Sequence, residues 1–325
     1  MRRRQFIGLL SGAAAWPLMV HAQQPGKPPT VGFLGVDASL FSPWTAAYHK
    51  GLKEAGFIEG QNITIEYHWA EGEYARLPTM ATELVRKRVS VIVAVNNLSA
   101  QAAKAATTTI PVVFLVPDDP KKLGLVASLN RPGGNATGVN FLVAELGSKQ
   151  LGLLHEMVPA ARRVGLLVNP NIPLTESVTR DVAAAAASTG LQLDIVEASN
   201  SREIEAAFVT LVRNKADALL VGPAPVMLSR RLQITTLATR HAIPTIYNVR
   251  EYAEVGGLMT YGTSQTEVYQ QIGIYTGKIL KGVKPADLPV MQSTKFELVI
   301  NMPTARALGL DVPPTLLARA DEVIE

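Results

Sequence analysis

RRVGLLVNP, residues 162–170, restates PTVGFLGVD, residues 29–37. In both, a polar lead-in gives way to a short Val-Gly-aliphatic run, and the run ends in turn-forming residues. That is the signature of a buried strand feeding a loop. The likeness extends outward in both directions. ADALLVGPA (216–224) matches VSVIVAVNN (89–97), HAIPTIYN (241–248) matches TTIPVVFL (108–115), and GGLMTYG (256–262) matches NATGVNF (135–141). The order is the same in the two halves and the spacing is similar.

Between these runs the pattern is helical. In the first half strands are expected at 30–35, 63–68, 89–95, 110–116 and 137–141. Helices are expected at 43–55, 74–87 and 99–106, with NRPGGN (130–135) as a loop. In the second half helices are expected at 174–188, 202–214 and 228–241. Each half therefore reads as a β-α-β-α-β-α-β series. Alternation of this kind predicts a doubly wound α/β fold with a parallel sheet covered on both faces. Residues 264–325 are too few for a third unit. A long helix at 264–281 is expected to pack on the first lobe, and a strand at 295–301 with a short helix at 304–308 to return to the second. The expected division is residues 29–141 plus 264–290 for lobe 1 and 145–261 plus 295–325 for lobe 2. The lobes would be hinged near Asn140–Glu145, Tyr261–Gln265 and Met291–Lys295.

The first residues read as an address. Arg2, Arg3 and Arg4 precede an apolar run from Phe6 to Val20, and Val20-His21-Ala22 offers small residues for a signal peptidase. Residues 1–22 are read as a signal peptide, the protein as periplasmic, and Arg3-Arg4-Gln5-Phe6-Ile7 as fitting the twin-arginine route. If uncleaved, the leader would be a membrane anchor. It carries three arginines and no acid, so most of the formal charge of +4 belongs to it. The remaining surface has no field that would favour nucleic acid. There is no cysteine, which excludes disulfides, thiolate metal sites and a Cys nucleophile.

In open parallel sheets, ligands sit beyond the carboxyl ends of the strands. The candidate ligand-binding residues are therefore those just past each strand. In the first half these are Asp37 and Ser39, Asn96 and Asn97, and Asp118 and Asp119. In the second half they are Asn169, Gly222 with Pro223, and Tyr247. Asn140, Thr260 and Tyr261 stand at the passages between lobes, and Trp44 begins the first helix. These are mostly uncharged hydrogen-bonding groups, which suits a small polar ligand such as an amino acid or related carboxylate. Its carboxylate would meet the helix starts after Ser39 and Asn97, its amine Asp118 or Asp119, and its apolar part Tyr247 or Trp44. Asn, Asp and Ser are equally at home there as caps and turn residues. No phosphate-binding Gly-rich loop, nucleophile elbow or metal-ligand spacing of histidines is present. No enzymatic activity, metal or cofactor is expected.

VGFLGVDAS (31–39), ITIEYHWAEG (63–72), VPDDPKKLGLVASLNRPGGNATGVN (116–140), NVREYAEVGGLMTYG (248–262) and LVINMPTARALGLDVPPTLLARADEVIE (298–325) resemble the ABC-transporter substrate-binding proteins of the tryptophan/tyrosine-binding type. The resemblance covers essentially the whole chain after the leader. It implies a type I periplasmic-binding-protein fold that closes on a small-molecule ligand, acting as a monomer. An inner-membrane ABC permease and its ATPase are the implied partners. A periplasmic sensor serving a membrane kinase and an exported α/β enzyme are the alternatives.

Overall fold

The protein is described by a computed structural model covering residues 28–141 and 146–325; within the first helix, the side chains of residues 39–43 are outside the description. Residues 1–22, expected to be a signal peptide, the side chain of Ser39, and positions 142–145 of the hinge expected near Asn140–Glu145 therefore lie outside the described residues.

The first half runs β1 (Thr30–Gly35), α1 (Ala38–Glu54), β2 (Thr64–Trp69), α2 (Leu77–Arg86), β3 (Val91–Val95), α3 (Asn97–Ala106), β4 (Val112–Val116) and β5 (Ala136–Asn140). The second runs α4 (Gly147–Met157), β6 (Arg163–Val168), α5 (Leu174–Thr189), β7 (Gln192–Glu197), α6 (Ser201–Arg213), β8 (Ala218–Val221), α7 (Pro225–Ser229), α8 (Arg231–Arg240), β9 (Thr245–Tyr247), α9 (Glu251–Glu254) and β10 (Met259–Thr263). The tail adds α10 (Gln265–Leu280), β11 (Met291–Gln292), β12 (Phe296–Asn301), α11 (Met302–Ala307), α12 (Pro314–Leu317) and β13 (Glu322–Ile324).

These strands form two sheets, ordered β11-β5-β4-β3-β1-β2 and β13-β12-β10-β9-β8-β6-β7. The pairings are parallel except β10 with β12, where Tyr261 faces Leu298 in antiparallel register. Every residue of β3 (VIVAV) and β4 (VVFLV) is buried, as central parallel strands covered on both faces require. Phe33 and Val93 face one layer of the first lobe's core, Leu34 and Ile92 the other.

The tail divides between the lobes. Helix α10 lies against α1 almost backbone to backbone. A Cβ added at Gly51 would stand 1.9 Å from the Gln270 carbonyl oxygen, and one at Gly273 would stand 2.3 Å from that of Tyr48. Only glycine at both positions permits that approach. Strands β12 and β13 then extend the second sheet. The chain passes between the sheets after β5, after β10 and between β11 and β12. The crossings are tied together: the Thr263 hydroxyl donates to the Phe141 carbonyl at 3.0 Å and the Ser293 N–H to that of Asn140 at 2.9 Å.

Three local expectations are corrected. Strand β7 was absent from the expected series, because it is an edge strand whose polar residues break the apolar run. The helix expected at 74–87 is a single tight turn at Tyr74–Arg76 followed by α2, which starts with Pro78 in its first turn. The helix expected at 228–241 is two helices, α7 and α8, that break at Arg230.

Candidate functional site

The carboxyl ends of the central strands of both sheets face one cleft. Behind β1 come Val36 and Asp37, behind β3 Asn96 and Asn97, and behind β4 Pro117. From the other sheet come Pro223 behind β8, with Asn248 and Val249 behind β9. They enclose a cavity of about 190 Å³. Its walls are mainly apolar. The aromatic rings of Trp44, Trp69, Tyr74, Phe141 and Tyr269 line it from the first lobe and the crossing. Ile172, Leu174 and Leu228 line it from the second. Among the described residues that line it, Asp37 is the charged one.

Local sequence explains how the rings reach it. Trp69 ends β2 and leans over Gly35, where an added Cβ would stand 2.3 Å from the indole Cζ3. Behind Trp69, Tyr67 stacks parallel at 6.1 Å and Phe33 packs at 5.4 Å. Trp44 on α1 and Tyr269 on α10 meet at 5.0 Å, held by the close helix pair. The Trp44 indole N–H also donates across the cleft to Glu251 Oε1 on α9, at 2.5 Å. Glu251 is buried, and its other oxygen, Oε2, has no partner. Burial is the main reason its carboxyl is pushed above the usual range. The Trp44 bond and the Arg250 charge oppose the shift, and Glu254 adds to it.

The polar wall is tightly knit. Asn96 caps α3 by accepting the Ser99 N–H, with its backbone at φ 82° and ψ 166°. That region is almost confined to glycine, so the turn stores strain beside the cavity. The Asn97 amide donates to Asp118 Oδ2 at 2.6 Å, while its own Oδ1 is buried without a partner. Burial pushes the Asp118 carboxyl up, against the lowering effect of Asn97.

Of the residues singled out from sequence, Asp37, Trp44, Asn96, Asn97 and Pro223 line this cavity. Asn169 lines a second, adjoining cavity. The others among the described residues lie elsewhere. Asp118 braces Asn97 from behind, and Asp119 accepts the Lys121 N–H within its own turn. The Asn140 side chain is wholly buried and donates to the Val116 and Asp118 carbonyls. Gly222 sits under β6, its N–H bonded to the Leu167 carbonyl. Tyr247, expected over the ligand, is buried in the second lobe's core and stacked on Tyr252 at 4.3 Å. Thr260 is buried in β10, and Tyr261 packs on Phe296 at 6.0 Å. Along a strand successive side chains take opposite faces, so one step separates Tyr247 in the core from Asn248 at the cavity. Trp69, Tyr74, Phe141, Leu228 and Tyr269 were not among the expected site residues. Tyr269 carries no local signal, because it reaches the cavity only through the docking of the tail helix. Trp69 could have been found from its place at the end of a strand, the rule used for the others.

Among the described residues, no group of three or more His, Asp and Glu stands close enough to hold a metal ion. None of the helices is long and apolar enough to cross a membrane, again among those described.

A model of the family described as ABC transporter substrate binding protein matches residues 45–324. The tyrosine-binding protein of Clostridioides difficile (strain R20291) is 27% identical over 261 residues, covering 80% of this chain and 75% of the relative. Among solved structures, the ABC domain in complex with L-Trp from Streptococcus pneumonia superposes with a TM-score of 0.81 at 26% identity, over 92% of this chain and all of that one. The ligand-free, open structure of a substrate binding protein with adhesive properties from Clostridium difficile gives a TM-score of 0.67 at 26% identity, over 91% of this chain and 99% of that one.

Proposed function

The chain belongs to the ABC transporter substrate-binding protein family, and from that premise we propose that it is the periplasmic receptor that closes on an aromatic amino acid and delivers it to an ABC importer. The observation that carries this reading is the apolar cavity between the two sheets, walled by Trp44, Trp69, Tyr74, Phe141 and Tyr269. Burying one aromatic ring system there removes about 200 Å² from water, worth ~5 kcal/mol before the cost of association. The wall supplies this mainly from the first lobe, with Leu174 and Leu228 of the second closing over it. A small polar solute would leave most of that wall unused, so the apolar part of the ligand dominates.

In this reading Asp37, Asn96, Asn97 and Pro223 join the aromatic residues as ligand contacts. The two lobes rotate about the three crossings, and ligand stabilises the closed form by its differential affinity. The names of the tyrosine-binding relative and of the L-Trp complex support the ligand class. The higher TM-score with the L-Trp complex than with the ligand-free, open structure supports a closed arrangement here. The Arg-rich leader supports export by the twin-arginine route. A permease and ATPase in the inner membrane are the partners, and the receptor acts as a monomer.

The test is to identify by mass spectrometry what is released on denaturing purified protein, and to titrate L-tryptophan and L-tyrosine calorimetrically. X-ray scattering with saturating ligand should show compaction. Release of only non-aromatic solutes, with no heat from either amino acid, would sink the proposal.

A further inference from the structure

The apolar cavity adjoins a second one of about 420 Å³, and Val36, Asp37, Tyr74 and Pro225 line both. Its remaining lining is of the opposite character, led by Asn169, Asn171, Ser199, Asn200 and Arg230. Most of these groups already have partners within the second lobe. The Ser199 N–H and hydroxyl both bond to Glu203, Asn200 caps α6, and Asn169 Oδ1 accepts the Asn171 N–H. Arg230 differs. Its backbone is held at the break between α7 and α8, by its N–H to Val226 and its carbonyl to Ile234. Its guanidinium has no carboxylate within ion-pair distance and no hydrogen bond among the described residues. Among the described residues that line either cavity, the charged ones are Asp37, on the shared wall, and Arg230, in the polar annex.

Among the described residues that line the apolar cavity, no cation stands to meet a free α-carboxylate. Its desolvation would go uncompensated except by amides. Moved into the annex it meets a planar, permanently charged donor fork and stays partly solvated. We propose that Arg230 is the anion-holding residue of the cleft. The ligand's aromatic body fills the apolar cavity while its carboxylate reaches across the Asp37–Tyr74 wall to the guanidinium. This rests on the cleft being the aromatic-solute site proposed above, and it deepens that reading. The ligand class becomes an aromatic compound bearing a carboxylate, recognised by separate apolar and anionic compartments.

The experiment is calorimetric titration of the whole protein and of Arg230→Gln with four probes: L-tryptophan, tryptamine, indole-3-propionate and indole. In the parent, the two carboxylate-bearing probes should bind about tenfold tighter than their counterparts without one, as for a partly solvated charged hydrogen bond. Arg230→Gln should erase that difference while leaving tryptamine and indole unchanged, and Arg230→Lys should restore part of it. Arg230 lies at the surface, so equal melting temperatures will show that the variants are folded. A carboxylate preference that survives in Arg230→Gln, or its absence in the parent, overturns the assignment. Binding of indole-3-propionate without L-tryptophan removes the amino-acid reading and leaves the annex standing. Binding of tryptamine and L-tryptophan with equal strength does the reverse. Heat from none of the four overturns both.

Discussion

The Trp44–Glu251 contact joins helices on opposite sides of the cleft, so its energy counts only when the lobes are together. Replacing Glu251 by Ala removes the acceptor and leaves the Trp44 indole N–H buried without one. An abandoned buried donor costs about 1–3 kcal/mol. As a change in the closing equilibrium that is roughly 5- to 150-fold. If the open form dominates without ligand, the whole factor passes into the apparent affinity. Glu251→Gln acts differently. The amide oxygen still accepts from Trp44, but the buried charge is gone.

The sign of the pH effect follows from burial. With Glu251 in contact with Trp44, as in this structure, its carboxyl lies above its usual range, mainly because it is desolvated among Trp44, Tyr269 and Tyr252. In an open cleft it would return to water and to an ordinary acid range. Closure then takes up a proton in the interval between the two values. The closed form should be favoured below the solvated carboxyl's range, lose ground as pH rises through the interval, and level off above the raised value. Scattering profiles recorded from acid to neutral pH at a fixed, sub-saturating ligand concentration should show expansion in that window. Glu251→Gln should show no expansion with pH, and Glu251→Ala should be the more open at every pH. Parallel pH curves for parent and Glu251→Gln, or an Ala variant as compact as the parent, would refute the argument.

Two further outcomes follow from the packing. Gly51→Ala drives a methyl into the Gln270 carbonyl and should cost about 3 kcal/mol, since neither helix backbone can give way cheaply; an unchanged melting temperature would contradict the reading of the α1–α10 contact. Trp69→Ala removes one aromatic wall of the cavity and should weaken binding of an aromatic ligand by about 2 kcal/mol, near thirtyfold, measured by calorimetry well below the melting point; parent-like affinity would place the ligand elsewhere.

The architecture was legible where burial is symmetrical. β1, β3, β4, β6 and β8 are covered on both faces, so their apolar runs survive in the sequence as strings such as VGFLG and VIVAV. The repetition of those strings in one order predicts two parallel sheets without any long-range information. β7 escaped because one of its edges lacks a partner, and Gln192, Asp194 and Glu197 interrupt its pattern. The close approach of α1 and α10 has no periodic signature either. It rests on single glycines more than two hundred residues apart, and nothing local marks them as a contact.

The chemistry of the cleft was harder to read than its location, and the reason is physical. Residues after parallel strands are chosen by two demands at once, capping the next helix and facing the ligand. The same Asn or Asp serves either. Asn96 does both here, capping α3 and lining the cavity, whereas Asp119 and Asn140 spend their hydrogen bonds on the loops that hold the wall. Those loops by themselves point to a small polar ligand such as an amino acid. The apolar surface comes from the end of β2, which the strand-end rule reaches, and from places it passes over: the turn before α2 and the middle of α10. Aromatic residues make up 6% of the chain, yet five of them converge on one cavity from separate elements. Such convergence is a property of the fold and not of any window of sequence. It also divides the labour of recognition. In the proposed reading, burial of the rings supplies affinity that is indifferent to orientation, and the carboxylate's contact with Arg230 decides which aromatic solute is held and which way round.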